Sequence, residues 1–161
     1  MDIFNQLIYQ ANKAFNTADH LAYVTYPVVN DTKIITLITE HLFTALTKGM
    51  DALLYLERLY KRIPQYSDSF EIKLELFKKI ISRYGINKDY IDTLKELKEI
   101  KELKQKGPVS FIKKDRLIMC SSTYRLKTVT LDKIKKYITQ IKSFIQLLNI
   151  IQDQYDTRFR R

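Results

Sequence analysis

Between Leu131 and Leu148 the apolar residues Leu131, Ile134, Ile138, Ile141, Ile145 and Leu148 alternate steps of three and four, which returns every side chain to one side of a helix. A strand repeats every two residues, so this stretch cannot be one. Tyr137, Phe144 and Ile151 add a second row, too broad for a two-stranded seam; it fits the inside of a bundle, with a subunit contact as a further use. Thr130 is a suitable N-cap.

The same spacing recurs upstream. Phe4, Leu7, Ile8, Ala11, Phe15, Ala18, Leu21 and Ala22 predict a helix from Asp2, its cap, to about Thr25, where Tyr26-Pro27 is expected to stop it. Ile34, Ile38, His41, Ala45, Ala52, Leu56, Leu59 and Ile63, widened by Leu42, Leu46 and Leu53, predict a helix of about 30 residues from Asn30 or Asp31 to Pro64, with Gly49 marking a kink or a close crossing. Phe70, Leu74, Phe77, Ile81 and Tyr84, closed by Gly85, predict a third. Ile91, Leu94, Leu97, Ile100 and Leu103 predict a charged fourth from Asn87 to Lys106, ended by Gly107-Pro108. Residues 109–129 lack a helical period, and Arg116–Cys120 and Tyr124–Val129 are candidate arms of a small hairpin. With three Gly and three Pro in 161 residues, a sandwich or barrel of many strands is excluded. The expected fold is an all-α, single-domain up-and-down bundle of four to five helices over 1–155, with a hairpin or irregular segment near 109–129 and a frayed basic tail, 156–161.

Cys120 is the one cysteine, so no intramolecular disulfide forms, and no apolar run approaches the roughly 20 residues of a membrane span. Met1-Asp2-Ile3-Phe4 lacks the basic start of a signal peptide, and a soluble cytoplasmic chain is expected. His20 and His41 belong to no His-Glu-x-x-His or Glu-x-x-His segment, and the isolated glycines make no phosphate-binding loop. No metal, cofactor or catalytic residue is therefore expected. A Cys120–His41 nucleophile pair is the weaker reading beside a packed cysteine and a core histidine.

Charge points to a partner. The chain carries a net +10, and residues 108–161 hold +8 of it. Lys113, Lys114, Arg116, Arg125 and Lys127, with Lys133, Lys135 and Lys136, face only Asp115 and Asp132 in the stretch, and Tyr124 adds a stacking ring beside Arg125. Cations interleaved with an aromatic suit single-stranded nucleic acid. Lys113, Lys114, Arg116, Tyr124, Arg125 and Lys127 are the candidate contacts. A second basic face, Lys48, Arg58 and Arg62, shares its helical stripe with Asp51 and Tyr55, and a merely solvated surface is the competing reading.

Arg116-Leu117-Ile118-Met119-Cys120-Ser121-Ser122-Thr123-Tyr124, followed by the helix from Thr130, resembles the HEPN superfamily of small helical domains. That resemblance implies a helical homodimer directed at RNA. The family's arginine is followed four to six residues later by a histidine; here Ser121 takes that place and no histidine follows His41. A hydroxyl cannot replace imidazole as an acid or base near neutral pH. The expectation is a noncatalytic, cytoplasmic module that binds nucleic acid, RNA foremost. Its rivals are a homodimeric adaptor for an acidic protein and a ribonuclease of altered chemistry.

Overall fold

The computed structural model describes residues 2–31, 33–106, 109–113, 115–121 and 123–159, with backbone alone at 106 and 109–113. Lys114 and Ser122 lie outside the described residues. The chain is mostly helical: α1 (Ile3–His20), α2 (Tyr26–Val29), α3 (Lys33–Leu59), α4 (Phe70–Ile80), α5 (Asp89–Lys106) and α6 (Leu131–Phe159), with β1 (Val109–Lys113), β2 (Arg116–Cys120) and β3 (Leu126–Thr130) between α5 and α6.

Asp2 caps α1 by accepting the Asn5 N–H at 2.8 Å. The expected stop at Pro27 does not occur. Leu21–Thr25 widens into a π-helical turn in which the Tyr26 N–H reaches back to the Leu21 carbonyl, and the backbone stays helical through Pro27 to Val29. Proline ends a helix by lacking an N–H and by crowding the carbonyl one turn back; a wider turn at that point relieves the crowding. Asn30, in left-handed conformation, then closes α2.

α3 is the central rod and packs against α1, α4, α5, α6 and β2. It also stops before the expected proline. Lys61 is left-handed, its N–H donates to the Arg58 carbonyl, and the Arg62 N–H donates to the Glu57 carbonyl, both at 2.9 Å, the paired bonds of a Schellman end. His41 is half-buried, not a core residue, and His20 is exposed.

Strict up-and-down order breaks after α3. Phe70 packs on Phe43 at 5.9 Å, Lys73 meets Asp51 at 3.0 Å, and Arg83, beyond the 3₁₀ turn Ile81–Tyr84, meets Glu57. Residues 60–69 thus carry the chain back along α3, so that α4 runs in the same sense. α5 and α6 are antiparallel: Tyr90 donates to the Gln140 carbonyl at 2.7 Å, and Lys133 of α6 meets Glu96 of α5. α6 and α1 are joined by a polar ladder. Asn12 and Asn149 exchange side-chain amide bonds at 2.8 and 3.1 Å, Gln152 donates to Asn5 at 2.7 Å, and Asn5 donates to Asp156 at 3.0 Å.

The α6 stripe sits inside this core. Ile134, Ile138, Ile141, Ile145 and Leu148, with Tyr137, Phe144 and Ile151, are all buried within the chain. The face expected to serve a subunit contact is already occupied. The basic tail is also shorter than expected, because 156–159 form the last turn of α6, with Tyr155 and Phe159 4.6 Å apart.

The helical layout carries one addition, a three-stranded antiparallel sheet in order β1-β2-β3. β2 matches the first expected arm, Arg116–Cys120, and β3 overlaps the second but begins at Leu126, leaving Tyr124 and Arg125 outside the strand, whereas β1 pairs with β2 through a turn at Asp115 that the sequence does not signal. Asp115 has φ +56°, its carboxylate accepts the Tyr26 hydroxyl, and its carbonyl accepts the Leu131 N–H at 3.1 Å. One residue thus ties α2, the sheet and α6 together. Burial foremost, then this bond, pushes the Tyr26 phenol up to about 12.

At Gly49, α3 passes close to Phe144 and Leu148 of α6. A Cβ there would stand 2.8 Å from Leu148 Cδ1 and 2.9 Å from Phe144 Cζ. Gly49→Ala should therefore cost about 1–3 kcal/mol through overpacking, read as a lower urea midpoint at unchanged slope.

On the surface, Lys98 sits 4.2 Å from the Phe70 ring centroid and donates to Glu71 at 2.5 Å. That bond, foremost, holds the Glu71 carboxyl at about 2, against an ordinary 4.5. A lowered folded pKa means stability present above 4.5 and lost as pH falls towards 2. Lys98→Met should return the Glu71 titration, followed by carboxyl NMR shifts, towards its ordinary value.

Candidate anion-binding site

Among the candidates whose side chains are described, Arg116 and Lys127 lie on opposite faces of the sheet. β-strand side chains alternate between faces, so register decides which cations share a side. Lys127 pairs with Met119, and Val129 with Leu117, on the face that packs against the helices; Arg116 pairs with Thr130 on the opposite face. On the inner face Lys127 meets Glu96 at 3.5 Å and Glu99 at 3.2 Å, and Lys133 meets Glu96 as well. Burial raises the Glu96 pKa, but Lys133, Tyr137 and Lys127 outweigh it, and the carboxyl lies below its usual range. These lysines already have their anions.

Arg116 is exposed, yet it lines a small cavity with Asp115 and Asp132. Lys113 is its register partner across β1 and β2. Arg125 is exposed and Tyr124 is 86% exposed, with φ +61° in a turn where Ser121 accepts both the Tyr124 and Arg125 N–H groups. An aromatic residue held at positive φ with its ring in water is locally unfavourable, as contact residues often are.

The second basic face fares differently. Lys48 is half-buried, while Arg58 lies 5.7 and 5.9 Å from the Tyr55 and Tyr66 ring centroids. Arg62 joins a constellation that apolar spacing did not flag. Glu57, one position from Leu56 and four from Leu53, faces the core and is wholly buried. Its carboxylate accepts from Arg62 Nη1 at 3.1 Å, from Tyr84 Oη at 2.5 Å and from Arg83. Burial first, then this carboxylate, raises the Tyr84 pKa, so the phenol stays a donor at neutral pH.

Arg62 and Arg83 are about half exposed, and each presents further N–H groups to a cavity of about 260 Å³. Leu56, Tyr60, Ile151, Gln154, Tyr155 and Arg158 complete its lining. Arg62 stacks 5.0 Å from the Tyr60 ring centroid. Three guanidiniums thus converge where α3, the 3₁₀ turn and α6 end, beside an open trough of about 650 Å³ along 58–65 that shares Arg62. Two signals for this place were present in the sequence: Glu57 repeats on the stripe of Leu53 and Met50, and an uncompensated carboxylate there demands cations. That Arg62 and Arg83 would supply them depends on the Schellman end and the returning loop.

The sheet and this pocket lie at opposite ends of the 29-residue α6, on the order of 40 Å apart. Arg116, Arg125 and Lys127 therefore do not adjoin Arg62. Among the described residues no group of three His, Cys, Asp or Glu could hold a metal ion, and no helix is long and apolar enough to cross a membrane. The chain matches no protein-family model, no curated protein and no solved structure with which it was compared.

Removing both cations should expose the cost of burying Glu57. Arg62→Ala with Arg83→Ala is expected to lose on the order of 3 kcal/mol, near the lower end for a broken buried pair because water reaches the arginine side. Adding Glu57→Gln should recover part of that loss. Denaturant titration of the three proteins checks both steps.

Proposed function

We propose that this chain is a noncatalytic module that binds single-stranded nucleic acid, RNA foremost, through the arginine- and tyrosine-lined end of α3 and α6. The observation that carries this reading is the convergence of Arg62, Arg83 and Arg158 on one cavity, with Arg58 and Lys61 along the adjoining trough. Guanidiniums bind phosphate oxygens through paired N–H groups, and tyrosines beside them offer rings for base stacking. Tyr60 and Tyr66 are partly exposed at this end and suit that role.

The exposed Arg125 and Tyr124, far along the molecule, would provide a lesser contact for a long strand. Lys127 would not, since its charge is spent on Glu96 and Glu99. Neither His20 nor His41 lines the arginine pocket, so the reading is of binding without cleavage. A homodimeric adaptor would need a face other than the buried stripe of α6.

Fluorescence anisotropy with a short labelled RNA at several salt concentrations tests the proposal. Binding should be tighter than roughly 100 μM at low salt and weaken as salt rises. Arg158→Ala should weaken it and reduce the magnitude of the salt slope by about 0.7. Lys127→Ala should stay within roughly twofold of the parent, as expected for an already neutralised surface charge. Absence of RNA binding at low salt, or equal losses in the two variants, would count against the arginine end.

A further inference from the structure

Charge, size and shape of the arginine pocket together bear on which part of a strand enters it. Three arginines line the cavity, and one carboxylate, Glu57, is bonded to two of them, which leaves a net of two positive charges around it. An internal phosphodiester carries one negative charge. A phosphomonoester carries about −1.5 to −2 at neutral pH and offers three acceptor oxygens.

The cavity, about 260 Å³, falls below the range of roughly 300–1,000 Å³ typical of sites that enclose a drug-sized molecule. A compact anion fits it better than a whole nucleotide. Part of its lining is buried and apolar or aromatic: Leu56, Ile151 and Tyr155 are buried, and Tyr60 and Tyr84 also line it. The trough, by contrast, is open and runs past Arg58, Lys61 and Pro64, meeting the pocket at Arg62. A small, half-open cationic pocket that shares Arg62 with a wider and more open cationic trough is suited to the end of a chain, with the rest of the strand lying along the trough.

The donors are held ready. Arg62 and Arg83 each spend a bond on Glu57, which cannot turn away because it is buried, and so their remaining N–H groups have a fixed direction before a ligand arrives. Fixing donors in advance lowers the cost of ordering them on binding. Arg158, the third cation, comes from the last turn of α6, where the Asn5–Asp156 bond and the Tyr155–Phe159 ring contact hold the backbone.

We propose that the Arg62–Arg83–Arg158 pocket receives a terminal phosphomonoester of the bound strand, an inference that rests on the nucleic-acid reading above and assigns this pocket to the strand's end.

The test compares one short RNA sequence in three forms, with a 5′-phosphate, with a 3′-phosphate and with hydroxyls at both ends, titrated by anisotropy from an internal label. One phosphorylated form should bind about tenfold tighter or better than the hydroxyl form, and which one does so identifies the end that is read. Arg158→Ala, which leaves the Glu57 contacts intact, should erase that advantage, so that all three strands bind alike at the weakened level expected of that variant. Arg83→Lys, checked for an unchanged melting curve, should reduce the advantage in the same direction. Equal affinity for all three strands, or an advantage that survives Arg158→Ala, would overturn the terminal-phosphate assignment and leave general RNA binding standing. Failure of every strand to bind would overturn both.

Discussion

A carboxylate sealed in an apolar core needs compensating cations, and Glu57 is such a group. Isolated charges cost far too much to bury, so the end of α3, the 3₁₀ turn after α4 and the loop between them are arranged to bring Arg62, Arg83 and Tyr84 onto one side chain. The Schellman end of α3 turns Arg62 back over Glu57, which no helical continuation would do, since residues five apart do not face each other on a helix. The same arrangement sets the path of α4. Arg83 reaches Glu57 only because the chain returns along α3 and runs a second time in its direction.

Helix ends reinforce this placement. Free carbonyls give a helix C-terminus a partial negative charge, which favours arginines there and disfavours an incoming anion. At α3 the carbonyls of Glu57 and Arg58 are taken by the N–H groups of Arg62 and Lys61, so part of that repulsion is removed by the turn that delivers the arginines. The cations are thus structural in origin: they neutralise a core charge and a helix end. Their capacity for an outside anion is what remains, on half-exposed guanidiniums with several donors each.

How much of this was legible in the sequence differs by level. Three- and four-residue spacing identified the long helices, because burial of one face is the property it reports; Ile134 to Leu148 and Phe4 to Ala18 are core residues. Stops were less legible. Pro27 is accommodated by a π-helical turn, and α3 ends at Leu59 through a left-handed lysine, a residue type that announces no such conformation. The cations of the last third suggest a patch because they are near in sequence. Strand parity sends Lys127 and Arg116 to opposite faces, and the carboxylates of α5 then neutralise Lys127 and Lys133. Glu57 does not stand out in the sequence, because a single acid on an apolar stripe reads as the edge of the stripe. Its partners are 5, 26 and 27 positions away, and only the folded path of the chain joins them.

The third arginine extends the dependence to the other side of the bundle. Arg158 lies in the final turn of α6, and isolated helix ends fray unless something holds them. Here α1 does so. Asp2 accepts the Tyr155 hydroxyl at 3.2 Å while capping α1, Asn5 bridges Asp156 and Gln152, and Phe4 packs 4.6 Å from the Tyr155 ring. Burial, with Asp2 next to it, raises the Tyr155 phenol to about 12, so it remains a neutral donor throughout the range in which the protein would meet an anion. The first turn of the chain is consequently part of the pocket although it contributes no lining residue. Loosening the Asp2–Asn5 cap would free the end of α6, and the turn that brings Arg158 to the pocket of Arg62 and Arg83 would lose its hold while the Glu57 pairings stayed intact.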